Sequence, residues 1–328
     1  MNQTLLKRLF KSIPVESAPD LSKIAQEIIL DERKKGHSNL AEALSLILTK
    51  KNQSKIEGAQ GRLLPLHEVP VDRRYKIPLV SYIDRENLRH YMILSPDVEQ
   101  KIRRIEEEYA ARERLAHHGL HPRRKILFYG APGCGKSMSA ERIAWNLGLP
   151  FLKVKFETLL SSFLGESASN IKAIFESIKD FPCVLLLDEF DFIGKTRSSK
   201  NEVGEMHRIV NILLQLMEDY EAPGILIATT NLESSLDEAL FRRFDDIIEL
   251  PKPQEGQILN LLKTSLSGIQ VQKNIDWDNI ASELIGNSAA LVVKIGQDAA
   301  KAAVLTNSLP VTQEHIRKAI QENSRSRG

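Results

Sequence analysis

Lys125-Ile-Leu-Phe-Tyr129 leads directly into Gly130-Ala-Pro-Gly-Cys-Gly-Lys-Ser137, and this stretch decides the fold of the 328-residue chain. The apolar run reads as a strand, the loop matches G-x-x-x-x-G-K-[ST] in full, and residues 138–147 continue it with helical character. Glycines allow turns in which backbone N–H groups approach a polyphosphate, and a helix that starts there directs its positive end at the same anion. The pattern therefore predicts a phosphate-binding loop between a strand and a helix.

Two side chains at the end of this loop can carry chemistry. Lys136 is expected to reach the β- and γ-phosphate oxygens of a nucleotide, and the Ser137 hydroxyl is expected to be a ligand of Mg²⁺. We expect ATP to contact the whole loop and the first residues of the helix, which are Gly130, Ala131, Pro132, Gly133, Cys134, Gly135, Lys136, Ser137 and Met138. ATP and Mg²⁺ are thus the predicted ligands.

A second apolar strand delivers two carboxylates. Val184-Leu-Leu-Leu187 ends in Asp188-Glu189, and parallel sheets bind ligands at the carboxyl ends of their strands. We expect Asp188 to hold Mg²⁺, directly or through water, and Glu189 to orient and polarise the attacking water. Asn231 follows a later strand, where its amide is expected to contact the γ-phosphate or that water; a lone Asn there is otherwise usually a turn former.

The composition of the chain limits the classes of protein to which it can belong. A formal net charge of +2, from 45 basic and 43 acidic residues, provides no broad basic surface for nucleic acid. Cys134 and Cys183 are too few for a disulfide framework or a zinc cluster. No stretch has the length of a signal peptide core or a membrane span. We expect a cytoplasmic protein that does not bind membrane, and the composition gives no support for nucleic-acid binding.

Periodicity divides the chain into four parts. Residues 1–55 contain two amphipathic runs joined by Lys-Gly-His and predict a small helical hairpin, which either docks a partner protein or packs on a neighbour. Residues 56–94 have weak periodicity and predict a linker. Residues 95–250 alternate strands with helices, which predicts an α/β fold with a mostly parallel sheet and helices on both faces. Residues 251–328 show helical runs alone and predict a separate helical lid.

These motifs resemble those of the AAA+ ATPases, in particular the classical AAA clade that includes spastin, katanin and the cell-division-cycle segregases. The resemblance covers residue 95 to the end and implies the AAA+ P-loop fold with its carboxyl-terminal lid. Four segments carry it: residues 130–137 as Walker A, 185–189 as Walker B, 229–251 as the second region of homology, and 286–304 in the lid. The lid departs from the pattern, since Ala289 and Leu291 replace a glycine and an acid and no sensor 2 arginine is obvious.

The second region of homology implies how the working form is assembled. By resemblance Asn231 is sensor 1, and Arg242 and Arg243 are paired arginine fingers that enter the site of an adjacent subunit, so that the working form is a ring, most often a homo-hexamer. Such a finger offsets charge on the transferring phosphoryl group and is worth about 10³ to 10⁵ in rate. The alternative, two surface arginines in a charged turn, is disfavoured by the flanking Phe241 and Phe244.

Phe163, Leu164 and Gly165 resemble the aromatic, hydrophobic, glycine signature of pore loop 1 in this clade. An aromatic and an aliphatic side chain on such a loop can grip an extended polypeptide with little regard for its sequence. The alternative is that Phe163 and Leu164 pack into the domain core.

The leading hypothesis is ATP-driven remodelling or unfolding of a polypeptide substrate by threading, either as a chaperone or as the feeder of a separate protease. The alternative is a nucleotide-gated assembly or regulatory factor that controls a partner bound to the hairpin without translocation. A nucleic-acid motor has the least support, because the net charge is near zero.

Overall fold

A computed structural model describes residues 70–72, 76–156, 167–190, 203–231, 241–306 and 310–325. The chain divides into two compact units, Met1–Glu68 and Val69–Gly328, and every described residue belongs to the second. The predicted hairpin of residues 1–55 lies outside the described residues.

Within the described part of the chain, six strands form a single sheet in the order β1-β3-β4-β5-β2-β6. Only β1 is antiparallel to its neighbour, and the other described pairs are parallel. The strands are β1 Val80–Ile83, β2 Lys125–Tyr129, β3 Phe151–Val154, β4 Val184–Leu187, β5 Ile225–Thr230 and β6 Asp246–Glu249. The central strands β4 and β5 are buried at every residue, as expected for parallel strands covered on both faces.

Helices alternate with these strands and then continue alone to the carboxyl end. They are α1 Pro96–Ala110, α2 Arg112–His117, α3 Lys136–Leu147, α4 Ser167–Ser177, α5 Val203–Glu218, α6 Glu255–Ser265, α7 Trp277–Glu283, α8 Ala289–Leu305 and α9 Gln313–Arg325. The predicted α/β fold with a helical lid is confirmed. None of the helices among the described residues combines the length and the apolar character needed to cross a bilayer.

Helix α1 illustrates how local sequence sets an element. The Ser95 hydroxyl accepts a hydrogen bond from the Val98 N–H at the helix start, and Pro96 occupies the first turn, where its missing N–H costs nothing. Its buried residues recur every three or four positions, at Val98, Ile102, Ile105 and Tyr109. This stripe packs with α3 and one face of the sheet into the main hydrophobic core.

The lid has a core of its own. Residues of α6, α7, α8 and α9 form a second buried cluster, which includes Ile258, Leu262, Ile280, Val292, Ile295, Ala299 and Ile316. Ile93 packs against this cluster, whereas Leu88 and Leu94 belong to the main core or pack on it. The short segment 88–94 therefore connects the two cores directly.

The sequence-based linker of residues 56–94 needs a correction for its second half. Residues 80–83 form β1 at the edge of the sheet, paired antiparallel with β3 in the register Val80↔Val154 and Ile83↔Phe151. Four residues are too few for a periodic signal, and the strand is stabilised by its partner rather than by its own pattern. The structure therefore assigns residues 76–94 to the α/β unit.

Gly224 precedes β5 at a point where no side chain fits. An added Cβ would lie 2.1 Å from the Cys183 carbonyl oxygen, which accepts the Ile225 N–H at 2.9 Å. We expect Gly224→Ala to lower the free energy of unfolding by about 1–3 kcal/mol, because the added methyl group forces β4 and β5 apart. Gly256→Ala in α6 is the control, since its Cβ would meet nothing within 4 Å. Thermal unfolding checks this, and equal melting temperatures for the two variants would contradict it.

Candidate active site

The glycine loop is shaped by close contacts at its first residue and in its middle. Gly130 has φ 137° and lies so close to the Leu250 carbonyl oxygen that an added Cβ would stand 2.3 Å from it. Gly133 has φ 75° and its carbonyl accepts a hydrogen bond of 2.9 Å from the Ala290 N–H at the start of α8. The loop is therefore held between the end of β6 and the first residues of the lid helix.

Lys136 is the first residue of α3 and is buried within the loop. Its ammonium donates hydrogen bonds to the carbonyls of Gly130 at 2.8 Å and Ala131 at 2.9 Å. The loop thus curls around a positive charge, and the amino end of α3 adds its own positive potential. This combination suits a polyanion.

Asp188 is the carboxylate around which the other groups gather. Its Oδ1 accepts hydrogen bonds from Ser137 Oγ at 2.7 Å and from Thr229 Oγ1 at 2.5 Å. Its Oδ2 lies 2.5 Å from the ammonium of Lys153 on β3. Contributions from α3, β3 and β5 therefore converge at the carboxyl end of β4.

The surroundings of Asp188 also set its protonation. Burial alone raises the pKa of this carboxyl, but hydrogen bonds from Lys153, Thr229 and Ser137 outweigh it, so the pKa lies below the ordinary value. The group is therefore an anion at neutral pH. Its stabilising interactions are fully present above the ordinary pKa of an aspartate and are lost as the pH falls through the lower folded value.

Glu189 occupies a strained backbone position beside it. Its φ of 56° is in the left-handed region, which costs a side-chain-bearing residue on the order of 1–2 kcal/mol. Two hydrogen bonds hold this turn, since the Glu189 N–H donates to Thr229 Oγ1 at 3.1 Å and the Phe190 N–H donates to the Thr229 carbonyl at 2.7 Å. Phe190 is buried while Glu189 is exposed. The turn presents a carboxylate to solvent at the mouth of the site.

A cavity of about 820 Å³ lies between the loop and the lid. Its polar end is lined by Lys136, Ser137, Asp188, Glu189 and Asn231. Its other walls include Met92, Ile93, Leu261, Ala289, Ala290 and Val293. The predicted residues from three separate motifs therefore line one cavity, and its size is in the range of small-molecule sites. The cavity-lining residues of the described helices α6 and α8 carry no charge.

Segment 85–93 forms a wall of the site and runs beside α3. The Arg89 guanidinium makes a bidentate pair with Glu141, with Nε at 3.0 Å and Nη2 at 2.5 Å, and the Arg89 N–H donates to the same carboxylate at 2.9 Å. The hydrogen bonds to Glu141 raise the pKa of Arg89 above the ordinary value of an arginine. His90 stacks on Trp145 with ring centroids 3.9 Å apart. These contacts hold Met92 and Ile93 against the cavity.

The two arginines of the second region of homology do not line the cavity of their own chain. Arg242 is exposed in the turn that precedes β6. Arg243 is more enclosed, and its Nη2 lies 3.3 Å from Glu218 Oε2 near the end of α5. Phe244 is buried and meets Phe190 edge to face, with centroids 6.4 Å apart. The segment that holds both arginines is thus in contact, through Phe244, with the residue that follows Glu189.

Phe163, Leu164 and Gly165 lie outside the described residues. Their predicted place in a pore stays a prediction.

Three residues of the site escape the sequence patterns. Lys153 and Thr229 lie inside strands, where no site motif marks them, and Arg89 lies in the predicted linker. The sequence offers one signal for Lys153, which is a charged residue within the short apolar run of β3. Which neighbour each side chain meets depends on strand order, and this order is a tertiary property.

Comparison with known proteins identifies the family. Residues 126–252 match the family described as ATPase family associated with various cellular activities (AAA). The chain is 34% identical over 323 residues to the uncharacterized AAA family ATPase y4kL of Sinorhizobium fredii, across 98% of this chain and 96% of that one. The chain therefore belongs to the AAA family and is an ATPase.

Thr229 gives a sharp test of the site, because one hydroxyl serves both acidic residues. Thr229→Val removes the donor to Asp188 and the acceptor of the Glu189 N–H, and a buried unsatisfied group costs about 1–3 kcal/mol. We expect a lower melting temperature and a rate of phosphate release reduced about ten- to a hundredfold, because the carboxylates lose their positions.

The matched control is Thr229→Ser, which keeps the hydroxyl and loses only a methyl group. We expect it to hydrolyse ATP within a few-fold of the parent, with its stability changed mainly by the lost packing. A valine variant as active as the serine variant would contradict this role of the hydroxyl.

Proposed function

We propose that the cavity binds ATP with Mg²⁺ and hydrolyses it between neighbouring copies of the chain in a homo-hexameric ring that remodels or unfolds a polypeptide. One observation carries the proposal. The Ser137 hydroxyl and the Asp188 carboxylate meet at 2.7 Å, and the buried Lys136 lines the same cavity, whose other walls are largely apolar. Such an arrangement suits a molecule with a polyphosphate at one end and an aromatic base at the other.

Each polar residue has a role in this proposal. Lys136 offsets charge on the β- and γ-phosphate oxygens. Glu189 accepts a proton from the water that attacks the γ-phosphorus, and Asn231 orients that water through its amide. The backbone N–H groups of residues 130–138 contact the phosphates.

The donor set fits Mg²⁺. A hydroxyl and a carboxylate are hard oxygen ligands, which this ion prefers while it keeps several waters and binds phosphate oxygens. Ser137 and Asp188 would hold it, directly or through water. When bound, it neutralises negative charge on the transferring phosphoryl group.

The apolar walls accommodate the base. Met92 and Ile93 come from the segment held by Arg89, whereas Ala290 and Val293 come from α8. Since the Ala290 N–H is bonded to the Gly133 carbonyl, the base and the phosphates bridge two cores that already touch. A nucleotide that spans both would couple hydrolysis to movement of the lid.

Arg242 and Arg243 act on the site of the neighbouring subunit in this proposal. Three features support it: Arg242 is exposed, Arg243 pairs with Glu218, and neither lines its own cavity. Arg243 is then the better anchored of the two, and Arg242 the one that reaches across. Family membership supports an oligomer.

The substrate is a polypeptide that Phe163 and Leu164 grip in the central pore, with Gly165 as the hinge. The hydrolytic cycle of the site drives that grip, either for chaperone work or for delivery to a separate protease.

Mixing two inactive variants tests the shared site. Glu189→Gln is expected to lower hydrolysis at least about a hundredfold, and Arg242→Ala about 10³-fold. Mixed one to one and reassembled, they should regain up to about a quarter of the parental rate, because random rings pair an intact Glu189 with an intact neighbouring Arg242 at one interface in four. Phosphate release measures the recovery.

The control mixes Glu189→Gln with a variant that carries both substitutions, which leaves no intact interface and should recover nothing. If the first mixture also recovers nothing while Arg242→Ala alone keeps the parental rate, the shared site is wrong. The Glu189→Gln protein is also sized with and without ATP, and a monomer in both conditions would contradict the ring.

Phe163 tests the threading step separately from hydrolysis. We expect Phe163→Ala to hydrolyse ATP at about the parental rate and to lose most unfolding of a fluorescent model substrate, because the grip is gone. Phe163→Tyr keeps the aromatic ring and should retain both activities. An alanine variant that unfolds the substrate as well as the parent would contradict threading and favour a nucleotide-gated regulator of a bound partner.

A further inference from the structure

Lys153 forms an ion pair with Asp188, the proposed metal ligand. It lies on β3, directly opposite Leu186 of β4, so strand pairing brings its side chain alongside the end of β4. Its Nζ is 2.5 Å from Asp188 Oδ2, on the opposite oxygen from the two hydroxyl donors. The side chain of Asp188 is 14% exposed and that of Lys153 is 42% exposed.

The ion pair differs in kind from the hydroxyl contacts. Ser137 and Thr229 supply neutral donors, whereas Lys153 supplies a full positive charge. Because Asp188 is mostly enclosed, this charge is screened less by water and salt than that of an ordinary surface pair. The exposed part of the Lys153 side chain leaves its ammonium room to move away from the carboxylate.

A divalent ion at Asp188 would therefore compete with the Lys153 ammonium for one carboxylate. The ammonium would repel that ion, and it would favour the approach of an anionic nucleotide that arrives without a metal ion. With an uncharged side chain at position 153, Asp188 would repel the phosphates in the absence of a metal ion and would attract the metal ion more strongly. Both effects would make nucleotide binding depend more strongly on Mg²⁺.

We propose that Lys153 is a positioning residue that lowers the dependence of nucleotide binding on Mg²⁺ by neutralising Asp188. The inference rests on the proposed function, because it takes Asp188 as the metal ligand and the cavity as the nucleotide site. A purely structural ion pair would instead change stability without changing metal dependence.

The experiment measures the dissociation constant of ADP for the full-length protein by titration calorimetry, once with saturating Mg²⁺ and once with EDTA. The readout is the ratio of the EDTA value to the Mg²⁺ value, which requires no hydrolysis. We expect Lys153→Met to raise this ratio at least about tenfold, equal to about 1.4 kcal/mol. Lys153→Arg retains the charge and should stay close to the parental ratio.

Lys172→Met is the matched control, because it removes the same charge from an exposed position on α4. It should leave the ratio unchanged. Lys153→Gln removes the charge but keeps a hydrogen-bond donor, and it replaces the methionine variant if circular dichroism shows that the latter is unfolded. The expected rise in the ratio is the same.

A ratio in the neutral variants within about twofold of the parent would overturn the inference, as would an equal rise in Lys172→Met. Loss of folding in both neutral variants would assign Lys153 a structural role and overturn it as well. Failure of the proposed function looks different, since the parent itself would then not bind ADP with Mg²⁺ and Lys136→Ala would change nothing.

Discussion

The placement of one carboxylate governs the rest of the site. Asp188 stands at the carboxyl end of a fully buried strand, and it is held there by a hydroxyl from α3, a hydroxyl from β5 and an ammonium from β3. A mostly buried anion is costly unless it is paired and hydrogen-bonded, so these partners are conditions of the fold as well as parts of the site. Strand order β3-β4-β5 is what makes all three available.

Thr229 extends this arrangement to the neighbouring acid. Its hydroxyl touches Asp188 and receives the Glu189 N–H, and its carbonyl receives the Phe190 N–H. The strained backbone of Glu189 is thereby fixed between two strands, and Phe190 is locked into the core against Phe244. Phe244 directly follows the proposed finger arginines. The contact between Phe190 and Phe244 therefore links the turn that carries the carboxylates to the segment that carries those arginines.

The wall opposite the loop is made in a different way. Segment 85–93 has no regular structure beyond a short turn, yet the Arg89–Glu141 pair and the His90–Trp145 stack align it with α3. Glu141 is buried, so its pairing with Arg89 satisfies a group that would otherwise be costly to enclose. This wall of the cavity thus depends on polar contacts with residues 50 to 60 positions away in the chain.

The sequence by itself determined the local chemistry: the loop from Gly130 to Ser137, the Asp188-Glu189 pair, the alternation of strands and helices and the helical lid. Glycine conformation, periodicity and short spacing act over a few residues, so they can be read without a structure. Only the tertiary structure decided that β1 joins the sheet edge, that Arg89 borders the cavity, and that Lys153 and Thr229 meet Asp188. Those contacts arise from strand order and from burial, which join positions that no local pattern connects.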